Sequence, residues 1–216
     1  MPDRILLGSI GANAVLRNHP LGADFSARLR DEPWPQGVVL QTLDWSPIAI
    51  AQDWQASAQR WDRVVLVGPV DRGLEDGTVS IRRWVGGAMT VQAIQDRIYE
   101  AVTGVVALDN LLVIGAHFGI WPQQVLLVEV QVAEERFGKV VVAEAAVAPT
   151  HVVGSAPPSA AVKAIMDETL AGCRQAVSGD TAWLAQVPTR SVQQINVVGQ
   201  WYRHHVAAAA GMGRGR

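Results

Sequence analysis

Four short runs, RILLGSI (4–10), VVLQT (38–42), VVLV (64–67) and QVLLVEVQV (124–132), are built almost wholly of apolar and β-branched residues and are separated by stretches with helical spacing. Runs this short and this unbroken describe strands covered on both faces, and crossover helices are what cover both faces of a parallel sheet. A fifth run, TVSIRRW (78–84), sets Val79 and Ile81 against Ser80 and Arg82, the alternation of a half-exposed edge strand. The fold class that follows is α/β: a mostly parallel, twisted sheet of about five strands with helices on both faces.

The helices are read from their apolar faces and their caps. Leu21, Phe25 and Leu29 recur at four-residue spacing, and residues 48–60 follow Pro47, a residue tolerated in a first helical turn. Thr90 caps a helix over 90–100 whose apolar face is Val91, Ile94 and Ile98. Asp109 opens a helix over 108–118, where its charge suits the helix dipole. Ser159 caps a long helix with the stripe Val162, Ile165, Met166, Cys173 and Val177.

Beyond about residue 178 the periodicity fades, and the chain ends in a Gly/Arg string. The organisation expected is one domain over 1–178 and an extension over 179–216, partly helical at best and suited to binding a partner. Two of the eight tryptophans, Trp183 and Trp201, fall in that extension, and tryptophan is enriched at binding hot spots. Trp54 and Trp61, seven residues apart, are placed on one face of the second helix.

With 49% hydrophobic residues the chain can bury a sizeable core. A net charge of -2 gives no electrostatic reason to expect nucleic acid or an anionic membrane. No run approaches the ~20 apolar residues needed to cross a bilayer, and no secretory signal is visible at the N-terminus. The single cysteine, Cys173, excludes an internal disulfide and fits a reducing, cytoplasmic setting. GSIGAN (8–13) lacks full dinucleotide-loop spacing, and no nucleophile elbow is present.

Three segments resemble the hydrogenase maturation endopeptidases: RILLGSIGANAVLRNHPLGADFSARL, VVLVGPVDRGLEDGTVSIRRW and VTGVVALDNLLVIGAHFGIWPQQVLLVEVQ. The middle one, with Val70, Asp71, Gly73, Gly77 and Thr78 in register, is the most specific. The resemblance implies the phosphorylase/hydrolase-like α/β arrangement of those enzymes, a [NiFe]-hydrogenase large subunit as partner, and a nickel-recognising set of Glu, Asp and His at the strand ends.

Carried across residue by residue, that set is not kept. Asn18 and His19 stand at the acidic positions of the first loop, Gly68 at the aspartate and Gly104 at the histidine. Glycine has no side chain with which to coordinate. His19 and Asp71 are the candidate replacement ligands, since imidazole and carboxylate both suit nickel or zinc. Each also has a plain structural role open to it: His19 as a surface or capping residue, Asp71 as a brace for the turn before Gly73. His117 reads as a boundary histidine, and His204 and His205 lie in the tail.

Three functions are therefore expected as alternatives. The first is a non-catalytic relative of the endopeptidases that binds or helps assemble the large subunit. The second is an active nickel-dependent endopeptidase with a site rearranged around His19 and Asp71. The third is a small-molecule-binding α/β domain whose Gly68 and Gly104 open a pocket.

Overall fold

A computed structural model describes residues 4–11, 17–57, 60–102, 106–132 and 157–195. Among them are six strands, β1 (Ile5–Ser9), β2 (Val38–Thr42), β3 (Arg63–Val70), β4 (Val79–Gly86), β5 (Gln124–Gln131) and β6 (Thr189–Ser191). The helices are α1 (Ala23–Asp31), α2 (Pro47–Ala56), α3 (Val91–Val102), α4 (Leu108–His117), α5 (Ala160–Ser178) and α6 (Thr181–Gln186). The strands form one sheet in the order β2-β1-β3-β5-β4-β6. The first four in that order run parallel, while β4 is antiparallel to β5 and parallel to β6.

The unbroken apolar runs are the four parallel strands, with β2 at the edge of the sheet, and β1, β3 and β5 are buried along almost their whole length. Because side chains alternate along a strand, each strand feeds two cores. On one face Val65, Val67, Leu126 and Val128 pack with Phe25 and Leu29 of α1 and with Met166, Leu170 and Cys173 of α5. On the other, Leu6, Val64, Leu66 and Leu127 pack with Ile50 of α2 and Leu111 and Leu112 of α4. Each fully buried large side chain contributes ~1.5–3 kcal/mol. Burial pushes the Cys173 thiol up to about 12, so it stays protonated and acts as a small core hydrophobe.

Two of the caps read from the sequence are present. Thr90 Oγ1 accepts from Ala93 N at 3.1 Å, and Ser159 Oγ accepts from Val162 N at 3.2 Å. The apolar face read for α3 is not the buried one: Val91 is 71% exposed, while Arg97, Glu100 and Ala101 are buried. There Arg97 donates to Glu100 at 3.1 Å and to Asn110 of α4 at 2.9 Å, a polar contact that hydrophobic periodicity does not register. Burial pushes the Glu100 carboxyl above its usual range, against the pull of Arg97.

Two further expectations are corrected. The alternating run is not an edge strand, because β6 pairs with β4 on its outer side. And the strand read as VVLV (64–67) is longer: β3 continues through Gly68 and Pro69 to Val70, paired with β5 throughout.

The stretch after residue 178 was read as an extension, and its described part holds α6 and β6. Leu184 and Val187 join the core beside α5, and Trp183 packs against the same core. An edge strand of three residues and a helix of six are too short to show periodicity. Trp201, His204 and His205 lie outside the described residues.

Candidate functional site

In an open α/β sheet the crevice that takes a ligand opens at the carboxyl ends of the strands where the chain reverses direction across the sheet. Here that reversal falls between β1 and β3, since β2 lies to one side of β1 and β3 to the other. Beside Gly68 that crevice is filled. A Cβ built at Gly68 would lie 2.9 Å from both the Cγ2 and the carbonyl oxygen of Ile10, and 3.4 Å from Leu108 Cβ. Ile10 is itself fully buried and bonded through its N–H to Val67 O. Gly68 is therefore a point of close approach and not the mouth of a pocket.

The first loop is given over to structure. His19 is 4% exposed; its Nδ1 accepts from Leu21 N at 3.1 Å and its carbonyl from Gly22 N at 2.9 Å, which turns the chain into α1. Asn18 Oδ1 accepts from Ser159 N at 3.0 Å, tying the loop to the start of α5. Gly104 lies outside the described residues. His117 sits exposed at the last turn of α4, its ring 5.4 Å from that of Phe118.

Because β3 runs to Val70, Asp71 stands directly at the strand end rather than in a loop beyond it. Its Oδ1 accepts from Gly73 N at 3.1 Å, the turn-bracing role expected of it, and from Gln131 Nε2 at 2.9 Å. Gly73 has a φ of 68°, a conformation that glycine adopts without strain.

A buried carboxylate stands one strand over from Gly68. Gly68 is in register with Glu129 of β5, on the face covered by α4. Glu129 is fully buried and is held by two arginines. Arg72 donates to its Oε1 from Nη2 at 3.0 Å, and Arg190 donates to Oε2 from Nη2 at 2.6 Å and to Oε1 from Nε at 3.1 Å. Arg72 also forks onto Asp109, Nη1 to Oδ2 at 2.8 Å and Nη2 to Oδ1 at 2.6 Å. The Arg72 backbone N–H donates to Gln131 Oε1 at 2.7 Å, which links the ion pairs to Asp71.

The Arg72 side chain is 6% exposed, and the Asp109 and Glu129 side chains are 9% and 0% exposed. Burial alone would pull the Arg72 pKa down, but the two carboxylates outweigh it and hold the pKa above its ordinary value. Asp109 stands in the first turn of α4, as read, and is also half of a bidentate pair with Arg72.

This network is what the sequence reading missed. A visible signal was the glutamate inside QVLLVEVQV, an ionisable residue in a strand buried on both faces, which must carry a partner. The partners Arg72 and Arg190 are 57 and 61 residues away in the chain, and nothing local announces them.

A borderline divalent ion needs several carboxylate or imidazole groups converging with lone pairs to spare. Among the described residues no group of three or more His, Cys, Asp or Glu is placed to hold one. The two carboxylates that do approach each other share Arg72, so the cation between them is the protein's own. His19 and Asp71 are not brought together into such a group, and the described residues do not fit a nickel site.

No family model and no curated protein matches the chain. Among solved structures it is similar to an endopeptidase from Escherichia coli, with a TM-score of 0.49 and 15% identity over 86% of this chain and 95% of that one. It is also similar to the hydrogenase maturating endopeptidase HybD from E. coli, with a TM-score of 0.46 and 15% identity over 82% and 94%. A hydrogenase 2 maturation peptidase from a Thaumarchaeota archaeon gives a TM-score of 0.44 and 16% identity over 82% and 99%.

Proposed function

We propose that this chain is a hydrogenase maturation protease-like protein without catalytic activity, which binds a [NiFe]-hydrogenase large subunit and assists its assembly in the cytoplasm. The observation that carries the reading is the pairing of the strand-end carboxylates with arginines. Asp109 and Glu129 meet Arg72, and Glu129 also meets Arg190, so neither carboxylate is open to a metal or to proton transfer. The partner comes from the three sequence segments that resemble the family, spread over residues 4–132.

The two alternatives find less support. A rearranged metal site would need His19 and Asp71 to converge with further ligands. Among the described residues no group of three or more His, Cys, Asp or Glu forms, while His19 Nδ1 and Asp71 Oδ1 accept hydrogen bonds from the fold. A ligand pocket at Gly68 would need the space that Ile10 fills.

Capture of tagged full-length protein from its native host, read by mass spectrometry, tests the partner. The expected result is enrichment of a large subunit in its unprocessed form. Enrichment of other proteins with no large subunit would overturn the reading.

A further inference from the structure

We propose that the cavity between the edge strand β2 and α2 binds a trimethylammonium group. It measures about 210 Å³ and is lined by Gln41, Trp45, Asp53, Trp54, Ser57 and Trp61. Gln41 comes from β2, Trp45 from the turn into α2, Asp53, Trp54 and Ser57 from the end of α2, and Trp61 from the approach to β3. In the sheet β1 and β3 stand between β2 and the Glu129 strand, so the proposal is independent of the function above. A volume below the usual range of small-molecule sites suits a single head group rather than a whole nucleotide.

Three of those six residues are tryptophans. An indole carries a negative face, and several such faces around one space attract a cation. Asp53 is the one charged residue of the six, and among the described residues no donor meets its carboxylate. Arg60 lines only the adjoining cavity, and its Nη1 donates to the Ser57 carbonyl at 2.6 Å. Trp61 already holds a cation in this way: the Arg4 guanidinium lies over its ring, 5.7 Å from the centroid, although Arg4 is not part of the lining. Trimethylammonium is the cation that matches. It donates no hydrogen bond and its methyl groups fill a space walled by rings, whereas a primary ammonium would give up water that the indoles cannot replace.

The walls are set in advance. Trp54 meets Trp121 edge-on at 5.7 Å, and Trp121 is itself fixed by its Nε1 donating to Leu112 O at 3.0 Å. Trp45 is 43% exposed and joins neither of the two main cores, so core packing does not account for it. As part of a cation cage its position has a use. Rings already in place take up a ligand at little entropic cost.

The probe is choline, titrated into full-length protein with tryptophan fluorescence and calorimetry as readouts; 3,3-dimethylbutan-1-ol is its neutral isostere. Saturable binding of choline is expected, with the isostere weaker by about tenfold or more. Trp45→Ala should weaken choline by about fivefold or more, and Trp45→Phe, which keeps a ring with a weaker field, should fall between. Asp53→Asn should weaken choline and leave the isostere unchanged. Asp31→Asn, on α1 across the sheet, should match the parent. Flotation with phosphatidylcholine vesicles separates the sources of the group: choline binding without co-flotation assigns a free solute, and co-flotation assigns a lipid headgroup. Equal binding of choline and isostere, a Trp45→Ala or Asp53→Asn affinity for choline within about twofold of the parent, or no saturable binding at millimolar choline would each overturn the proposal.

Discussion

Replacing Glu129 by alanine should lower the free energy of unfolding by about 3–5 kcal/mol, read as a shift in the urea midpoint at unchanged slope. The side chain is fully buried and balances two guanidiniums, Arg72 at 6% and Arg190 at 12% exposure. Taking it away leaves Arg190 without its carboxylate and Arg72 with only Asp109, in surroundings that cannot solvate them. Ser80, which donates to Oε2 at 3.4 Å, loses its acceptor as well. A loss below about 1 kcal/mol, the level of an exposed ion pair, would mean that water reaches these charges and that the network is not sealed.

Arg72→Ala should be of similar size, about 3–5 kcal/mol, for the converse reason. Asp109 then has lost its bidentate partner inside the protein, and the turn between β3 and β4 loses the guanidinium that fixes it to both α4 and β5. Glu129 keeps Arg190, so the damage centres on Asp109. That distinction can be measured. Combining Arg72→Met with Asp109→Leu should recover part of the loss, because neither side is then left charged and alone, and a double-mutant cycle should return a coupling of ~1–3 kcal/mol. Strict additivity of the two single changes would contradict the bidentate pair.

The fold was legible where one residue type did one job over several positions. Apolar runs gave β1, β2, β3 and β5, and four-residue spacing gave Leu21, Phe25 and Leu29, all of them buried. Legibility failed where a residue's role depends on a distant neighbour. β4 alternates like an edge strand, yet its outer partner is three residues long and over a hundred positions later. Val91 looked like the core side of α3, but what α3 buries is an arginine and a glutamate held by α4. Trp61 was placed on α2, which ends at Ala56, although it still lines one groove with Trp54.

The candidate site divides the same way. That neither Gly68 nor Asn18-His19 carries a carboxylate could be read directly. What stands beside Gly68 could not. Glu129 becomes the neighbour of Gly68 only through the register of β3 with β5, and register is a property of the folded sheet. β3 likewise runs on through Gly68 and Pro69, so the strand end moves to Asp71 and brings Arg72 over Asp109.

On the function proposed above, the protein holds a large subunit without cutting it, its buried carboxylates being neutralised from within. The most direct measurement mixes purified full-length protein with nickel-loaded, unprocessed [NiFe]-hydrogenase large subunit, then records complex formation by size exclusion and the intact mass of the subunit. A stable complex containing a large subunit of unchanged mass is the predicted result. A subunit shortened at its C-terminus, or one that never joins the complex, would contradict it.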